Sequence, residues 1–194
     1  MGMNASGVRK TFKYKLRLTP QQGQAMEFVL RRCRELYNAA LQERREAWQK
    51  CGVNVTCASQ SAQLPAIKEV RPEYRDIHSQ VLQDVLTRLD CAFQAFFRRV
   101  QAGEQPGYPR FQGTNRYSSF TYKQFGNGAT LDKGFLVLSK IGRIGVRWSR
   151  PLEGTPRPSP SPTRRMAGTS AFPVLRCRYN PCHPPDARRV SMLG

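Results

Sequence analysis

Three cations alternate with apolar residues near the start of the chain. Lys13, Lys15 and Arg17 sit between Phe12, Tyr14, Leu16 and Leu18. Side chains on a strand change face at every residue, so this spacing predicts a half-buried strand over residues 11–18 with a cationic ridge on its open face. Arg31, Arg32 and Arg34 follow on a predicted helix. For any single arginine a solvated charged face is the plain alternative. Three cations on a strand face followed by three on the next helix favour a surface that grips nucleic-acid phosphates. Two further groups add base chemistry. Ser79, Gln80 and Gln83 stand at the start of a second predicted helix and are types that hydrogen-bond base edges in a groove. Tyr117, Phe120 and Tyr122 interleave with Arg110, Arg116 and Lys123, which fits base stacking combined with phosphate contact; the same aromatics would also serve to fill a barrel.

Catalytic and metal chemistry find little support in the residues. No pair of carboxylates falls in a plausible site, and the chain is expected to carry no cofactor. The six cysteines include no C-x-x-C pair. Cys33 and Cys91 fall on apolar helix faces, where a free thiol behaves as a small hydrophobe. Cys177-x4-Cys182-His183 is the one metal-like spacing. It lacks a second pair and sits among prolines and arginines, so it is read as no site.

The 194 residues hold 32 Lys and Arg against 13 Asp and Glu, a formal charge of +19. A one-signed field of this size repels itself in the compact state and attracts polyanions. Nucleic acid is the first candidate partner and an anionic membrane surface the second. No apolar run approaches the roughly 20 residues of a spanning helix, and residues 1–10 lack the apolar stretch of a secretory signal. A cytoplasmic protein is expected.

The elements that must position these groups follow from periodicity. Thr19-Pro20-Gln21-Gln22 spells a capping box with proline at the first helical position. Met26, Leu30, Cys33, Tyr37, Ala40 and Leu41 then recur at helical spacing, predicting a helix over about residues 21–50. A short helix over 60–70, interrupted near Pro65, comes next. The second strong helix spans residues 79–101, with Gly103 just past its end. Its stripe of Leu82, Val85, Leu86, Leu89, Phe93, Phe96, Phe97 and Val100 reads as core against the first helix, and Gln83, Arg88, Arg98 and Arg99 occupy the opposite face. Short strands with glycine turns follow through residue 150 and suggest part of a small barrel that the first strand joins. Residues 151–194 carry 9 of the 14 prolines and seven arginines, with no lysine and two acids. Such a composition cannot bury enough apolar surface to offset its ordering entropy, and disorder is expected.

The series KTFKYKLRLTPQQ, CRELYNAAL, SQVLQ leading into LDCAFQAFFRRV, GYPRFQG and LSKIGRIGV, in that order, resembles the TnpB (OrfB) proteins of bacterial insertion sequences, over residues 10–155. The resemblance implies an α+β architecture: a split wedge, OB-like β-barrel with an inserted helical lobe, followed here by a disordered tail. The corresponding boundaries are 1–18 for the first barrel strand, 19–105 for the helical, helix-turn-helix-like lobe, 106–150 for the remaining strands and 151–194 for the tail. Members of that family are RNA-guided DNA endonucleases, also described as transposases, so DNA and a guide RNA are the implied partners. By position, Gln80 and Gln83 would face the short motif beside the DNA target. Lys13, Lys15, Arg17, Arg31, Arg34, Tyr37, Asn38, Arg110 and Phe111 would lie on RNA- or DNA-facing ground.

The tail departs from the family. Relatives continue into a RuvC-like nuclease whose three carboxylates hold two divalent metals such as magnesium, interrupted by a zinc ribbon. Here Glu153 and Asp186 are the only acids of the tail. A frameshift near codon 157 is the expectation, yielding a truncated transposon protein that binds nucleic acid and does not cut alone. A non-catalytic RNA- or DNA-binding regulator and an inert pseudogene product are the alternatives.

Overall fold

The computed structural model describes residues 11–150 apart from Asn115, together with the backbone of two strands, Leu175–Arg178 and Arg188–Leu193. The fold mixes helices and sheet. Strand β1 (Thr11–Arg17) leads into the long helix α1 (Pro20–Cys51), then α2 (Cys57–Ala62), α3 (Leu64–Val70), a 3-10 turn (Pro72–Asp76) and α4 (Ser79–Gln101). Four short strands follow: β2 (Ser119–Tyr122), β3 (Ala129–Asp132), β4 (Phe135–Leu138) and β5 (Gly142–Arg147). The remaining two are β6 (Leu175–Arg178) and β7 (Arg188–Leu193).

The predicted start of α1 forms as the residues dictate. Thr19 Oγ1 accepts from Gln22 N at 3.2 Å, and Thr19 N donates to Gln22 Oε1 at 3.0 Å. The Gln22 amide also donates to the Arg143 carbonyl at 2.8 Å, which ties the helix start to β5. The helix holds 32 residues, about 48 Å at the usual rise. The predicted break near Pro65 resolves into two helices that part at Gln63, with Pro65 in the first turn of α3. A missing N–H costs nothing there.

One core joins helices and sheet. Met26, Val29, Leu30, Cys33, Leu36 and Leu41 of α1 bury against Val81, Leu82, Val85, Leu86, Leu89 and Phe93 of α4, and Tyr14, Leu16, Leu136, Leu138 and Ile144 continue the cluster. The apolar stripe of α4 outruns this core: Phe96 is half-buried, and Phe97 and Val100 are exposed. Tyr108 covers the end of the stripe, edge-on to Phe93 and Phe96.

Strands β1, β5, β4 and β3 form an antiparallel sheet, and backbone pairing continues it through β7 and β6 to β2. The ladder is open and does not close as a barrel. Strands β2 and β3 end the order at opposite sides. An isolated bridge, Phe125 to Ala129, joins the connection after β2 to the start of β3. The Tyr122 hydroxyl, 2.9 Å from the Ser139 carbonyl, is a side-chain link across that gap, not a ladder. Within the stretch where disorder is expected, the backbones of β6 and β7 pair in register with β2 and β1. The rest of the tail, with Cys182 and His183, lies outside the described residues.

Turn chemistry seats α4 against the sheet. Lys133 and Gly134 both take positive φ (45° and 83°), which lets β3 and β4 join through a two-residue turn. Gly128 (φ +95°) is required for space as well, because a Cβ there would come 2.7 Å from the His78 ring. His78 caps α4: its Nδ1 accepts from Gln80 N at 3.4 Å, and its ring lies 5.6 Å from that of Tyr122. Burial, then the nearby charges of Lys68 and Lys140, hold its pKa below the ordinary 6.5, against an opposing bond from Asn127. The unfolded chain therefore binds more protons than the folded one just below pH 6.5. Stability is intact above that value and falls with pH until folded His78 is protonated too. His78→Asn, which keeps an N-cap that cannot titrate, is expected to flatten this part of the stability–pH curve measured by urea unfolding.

Candidate nucleic-acid interface

The alternation of β1 sorts its side chains as predicted. Tyr14 and Leu16 are buried, Lys13 and Arg17 are exposed, and Lys15 is half-buried. Strand β5 repeats the pattern, with Ile144 and Val146 buried and Arg143 and Arg147 exposed. Register decides what meets what. Lys15 pairs with Arg147 and Arg17 with Gly145. Residues directly opposite in a sheet share a face, so one surface collects Lys13, Lys15, Arg17, Arg143 and Arg147. Gly145 lies against the Arg17 side chain, where an added Cβ would make ordinary contact at 3.4 Å. Arg143 lies over the Phe135 ring at 4.1 Å and 3.6 Å from Asp132. Across the other edge of β1, Lys15 is in register with Arg189 of β7. A groove of about 530 Å3 beside β1 is lined by Lys13, Lys15, Arg147 and Arg150 among others.

Like charges set opposite each other in a sheet destabilise it. Lys15 beside Arg147 is therefore a cost to the folded chain that a bound polyanion removes. Arg143 and Arg147 were not among the sequence candidates. The signal that finds them is the same period of two, Arg143-Ile144-Gly145-Val146-Arg147, that singled out β1.

The helical candidates divide. Arg31 is exposed, its guanidinium 5.9 Å from the Phe28 ring, and Arg34 is half-buried. Arg32 is occupied: it bonds Glu35 at 2.6 Å and approaches Glu73 at 3.4 Å. Arg71 joins the same cluster, 2.7 Å from Glu73. Tyr37 belongs to the core; it is 5 % exposed, its ring lies 6.1 Å from that of Tyr117, and burial raises its hydroxyl pKa. Cys33 beside it is inert, its thiol pushed up to about 12 by burial.

Asn38 is a clamp. Its amide donates to the Gln112 carbonyl at 3.0 Å and accepts from Gln112 N at 2.8 Å, across 74 residues of sequence. Asn38→Ala leaves those two backbone groups without their partner, a loss of about 1–3 kcal/mol. Faster proteolysis within residues 105–113 is the expected readout, and an unchanged digestion rate would count against the clamp. Gln80 is half-buried and engaged with Gln124, donating to its side chain at 2.6 Å and accepting from its backbone N at 3.3 Å. Gln83 remains exposed, as do Arg110 and Phe111. The structure thus gathers Lys13, Lys15 and Arg17 on one face with β5. It sets Arg110 and Phe111 on a separate segment and removes Tyr37 from the surface.

Arg88 departs most from its expected place on a solvated face. It bonds Asp84 at 2.7 Å, the Ser119 carbonyl at 2.6 Å and the Thr121 hydroxyl, so it latches α4 to β2. Arg44 is buried, held by Gln60 at 2.9 Å and Asp90 at 3.0 Å. Among the described residues no group of three His, Cys, Asp or Glu is placed to hold a metal, and no helix is long and apolar enough to cross a membrane.

Comparison with known proteins agrees with the resemblance. Residues 3–52 match the family model of the OrfB/IS605 helix-turn-helix domain. The described part of that stretch is β1 followed by α1. A protein of Streptomyces pristinaespiralis named "Putative RNA-guided DNA endonuclease" is 30% identical over 173 residues, covering 88% of this chain and 42% of that protein. "Putative RNA-guided DNA endonuclease InsQ" of Escherichia coli (strain K12) is 29% identical over 149 residues, 75% of this chain and 35% of that protein. The chain thus spans well under half the length of the curated relatives it matches. With the helix-turn-helix match at its start and these two relatives beyond it, the chain is similar to the amino-terminal portion of TnpB/OrfB proteins of insertion sequences.

Proposed function

We propose that this part of the chain is the nucleic-acid grip of a TnpB-type, RNA-guided DNA-binding protein, and that by itself it binds without cutting. The observation that carries the reading is the in-register cationic face of β1 and β5, where Lys15 opposes Arg147 and Asp132, beside Arg143, is the acid that an ion pair brings to it among the described residues. Phosphates fit this face because they are anions spaced along a strand, and because they remove a repulsion that the fold otherwise bears. In this reading DNA and a guide RNA are the ligands, base pairing with the guide supplies the sequence choice and the protein holds the backbone. In this reading the nuclease metals would be held by the RuvC-like part that the resemblance implies, not by the grip. The split-barrel architecture stays part of the proposal, with the open sheet as the wall that carries the grip.

Affinity for a short RNA or DNA, measured by anisotropy of a labelled strand, tests this. A grip on six to ten phosphates weakens by about 10³–10⁵ between 50 and 200 mM salt. A response flat in salt overturns the proposal. Hydrolysis of DNA by the purified 194-residue chain with magnesium present would overturn its non-cutting half.

A further inference from the structure

A second surface lies away from the cationic sheet face, where the last turns of α1 meet the segment before β2. Leu41, Arg45, Trp48 and Gln49 line one wall of a groove of about 480 Å3, and residues 107–111 line the other. On α1 the spacing i, i+4, i+7, i+8 places these four on one face. Trp48 is 65% exposed, Phe111 44% and Tyr108 41%. Trp48 and Phe111, two large aromatics turned toward solvent in one recess, are not explained by the core.

The opposing segment is held at both ends. Tyr108 packs edge-on to Phe93 at 5.5 Å and Phe96 at 5.4 Å. Gln112 is clamped by Asn38. Arg110 and Phe111 are therefore presented from a fixed frame. None of the groove residues is acidic, and neither Arg45 nor Arg110 has a carboxylate partner among the described residues. Rings beside arginines also occur at protein interfaces; here the two guanidiniums lie in a groove without an acid, on a chain of formal charge +19, and such a field draws a polyanion. That pairing matches a ligand with a flat apolar face and an anion a few ångströms away, which is a nucleotide. The volume falls in the ordinary range of small-ligand clefts, about 300–1,000 Å3. Bases inside a duplex are stacked on one another and cannot enter such a recess, so the nucleotide must be unpaired.

We propose that the groove between Trp48 and Phe111 is a stacking site for an unpaired nucleobase of a single strand, with Arg45 and Arg110 on its flanking phosphates. The inference rests on the nucleic-acid reading above and adds a site that discriminates single strand from duplex. The chain has two tryptophans, so Trp148→Phe makes Trp48 the sole reporter. The full chain with this change is titrated with a labelled oligouridylate and with a labelled duplex of the same length at low salt. Anisotropy reads binding, and tryptophan emission reads the groove. Expected is quenching of Trp48 by the single strand and none by the duplex. Phe111→Ala is expected to lower single-strand affinity roughly 5- to 150-fold, the loss of one stacked base. Arg110→Gln, an exposed position, is a second variant expected to weaken the same binding and to reduce its salt slope. Single-strand binding with unchanged Trp48 emission overturns the groove and leaves the nucleic-acid reading standing; so does a Phe111→Ala chain of native circular dichroism and undiminished affinity. Absence of any anisotropy change with either ligand overturns both. A groove filled by a further protein segment would show the first of these failures.

Discussion

Lys15→Glu with Arg147→Glu is expected to lower polyanion affinity by about 100-fold or more at low salt. Each reversal replaces an attraction to phosphate by a repulsion. A unit charge pair at close range is worth about 1 kcal/mol in water and several times that at a protein surface. The slope of log affinity against log salt should shrink by about 0.9 for each phosphate that the altered face no longer neutralises. The single change Lys15→Glu separates binding from folding. It turns a like-charge pair with Arg147 into an opposite-charge pair, for a gain of about 0.2–1 kcal/mol in stability, while binding still weakens. Urea unfolding and anisotropy on the same preparation check both signs. A variant that loses stability and affinity together would show that the basic face is structural and not a ligand surface.

Removing the Arg88 latch is expected to give the largest loss of stability. Arg88→Ala strips Asp84, which is 8 % exposed, of its 2.7 Å partner and leaves only Lys123 at 3.7 Å. It also removes the donor to the Ser119 carbonyl and the Thr121 hydroxyl, through which α4 holds β2. Breaking a buried pair on one side costs about 3–5 kcal/mol. Arg88 itself is 25% exposed, which places the expectation at the lower end. Against a total of about 5–15 kcal/mol this is large. Asp84→Ala in the same chain should recover part of the loss by removing the stranded carboxylate, and a double mutant no better than the single would argue against the pair.

Arg88 also shows where reading from sequence stops. Its helical phase put it on the face opposite Leu82 and Leu86, and that much is correct. A sheet built from residues 31 and 33 positions later covers that face. Arg44 shares the fate: its acidic partner lies 46 residues away, so no local pattern marks it as occupied. Arg32 has a local partner in Glu35, and only its second contact, Glu73, is distant at 41 residues. The same holds for Asn38 and Gln80. Both are polar residues on a helix, and both are engaged by backbone of a later segment. Tyr37 could be read either way, because one aromatic at a core spacing serves equally as a stacking surface until its burial is known.

Sequence alone determined what depends on near neighbours. The alternation of β1, the Thr19–Gln22 cap of α1, the extent of α4 and the glycine turns between the later short strands are written in stretches of a few residues, since their causes are side-chain direction, orphan backbone donors and permitted φ. Tertiary structure alone decided which cations stay free for a ligand, whether the sheet closes, and that Arg143 and Arg147 join Lys13, Lys15 and Arg17 on one face. Those outcomes turn on register and burial between segments distant in the chain, and a charge reveals its role only once the groups within a few ångströms of it are in place.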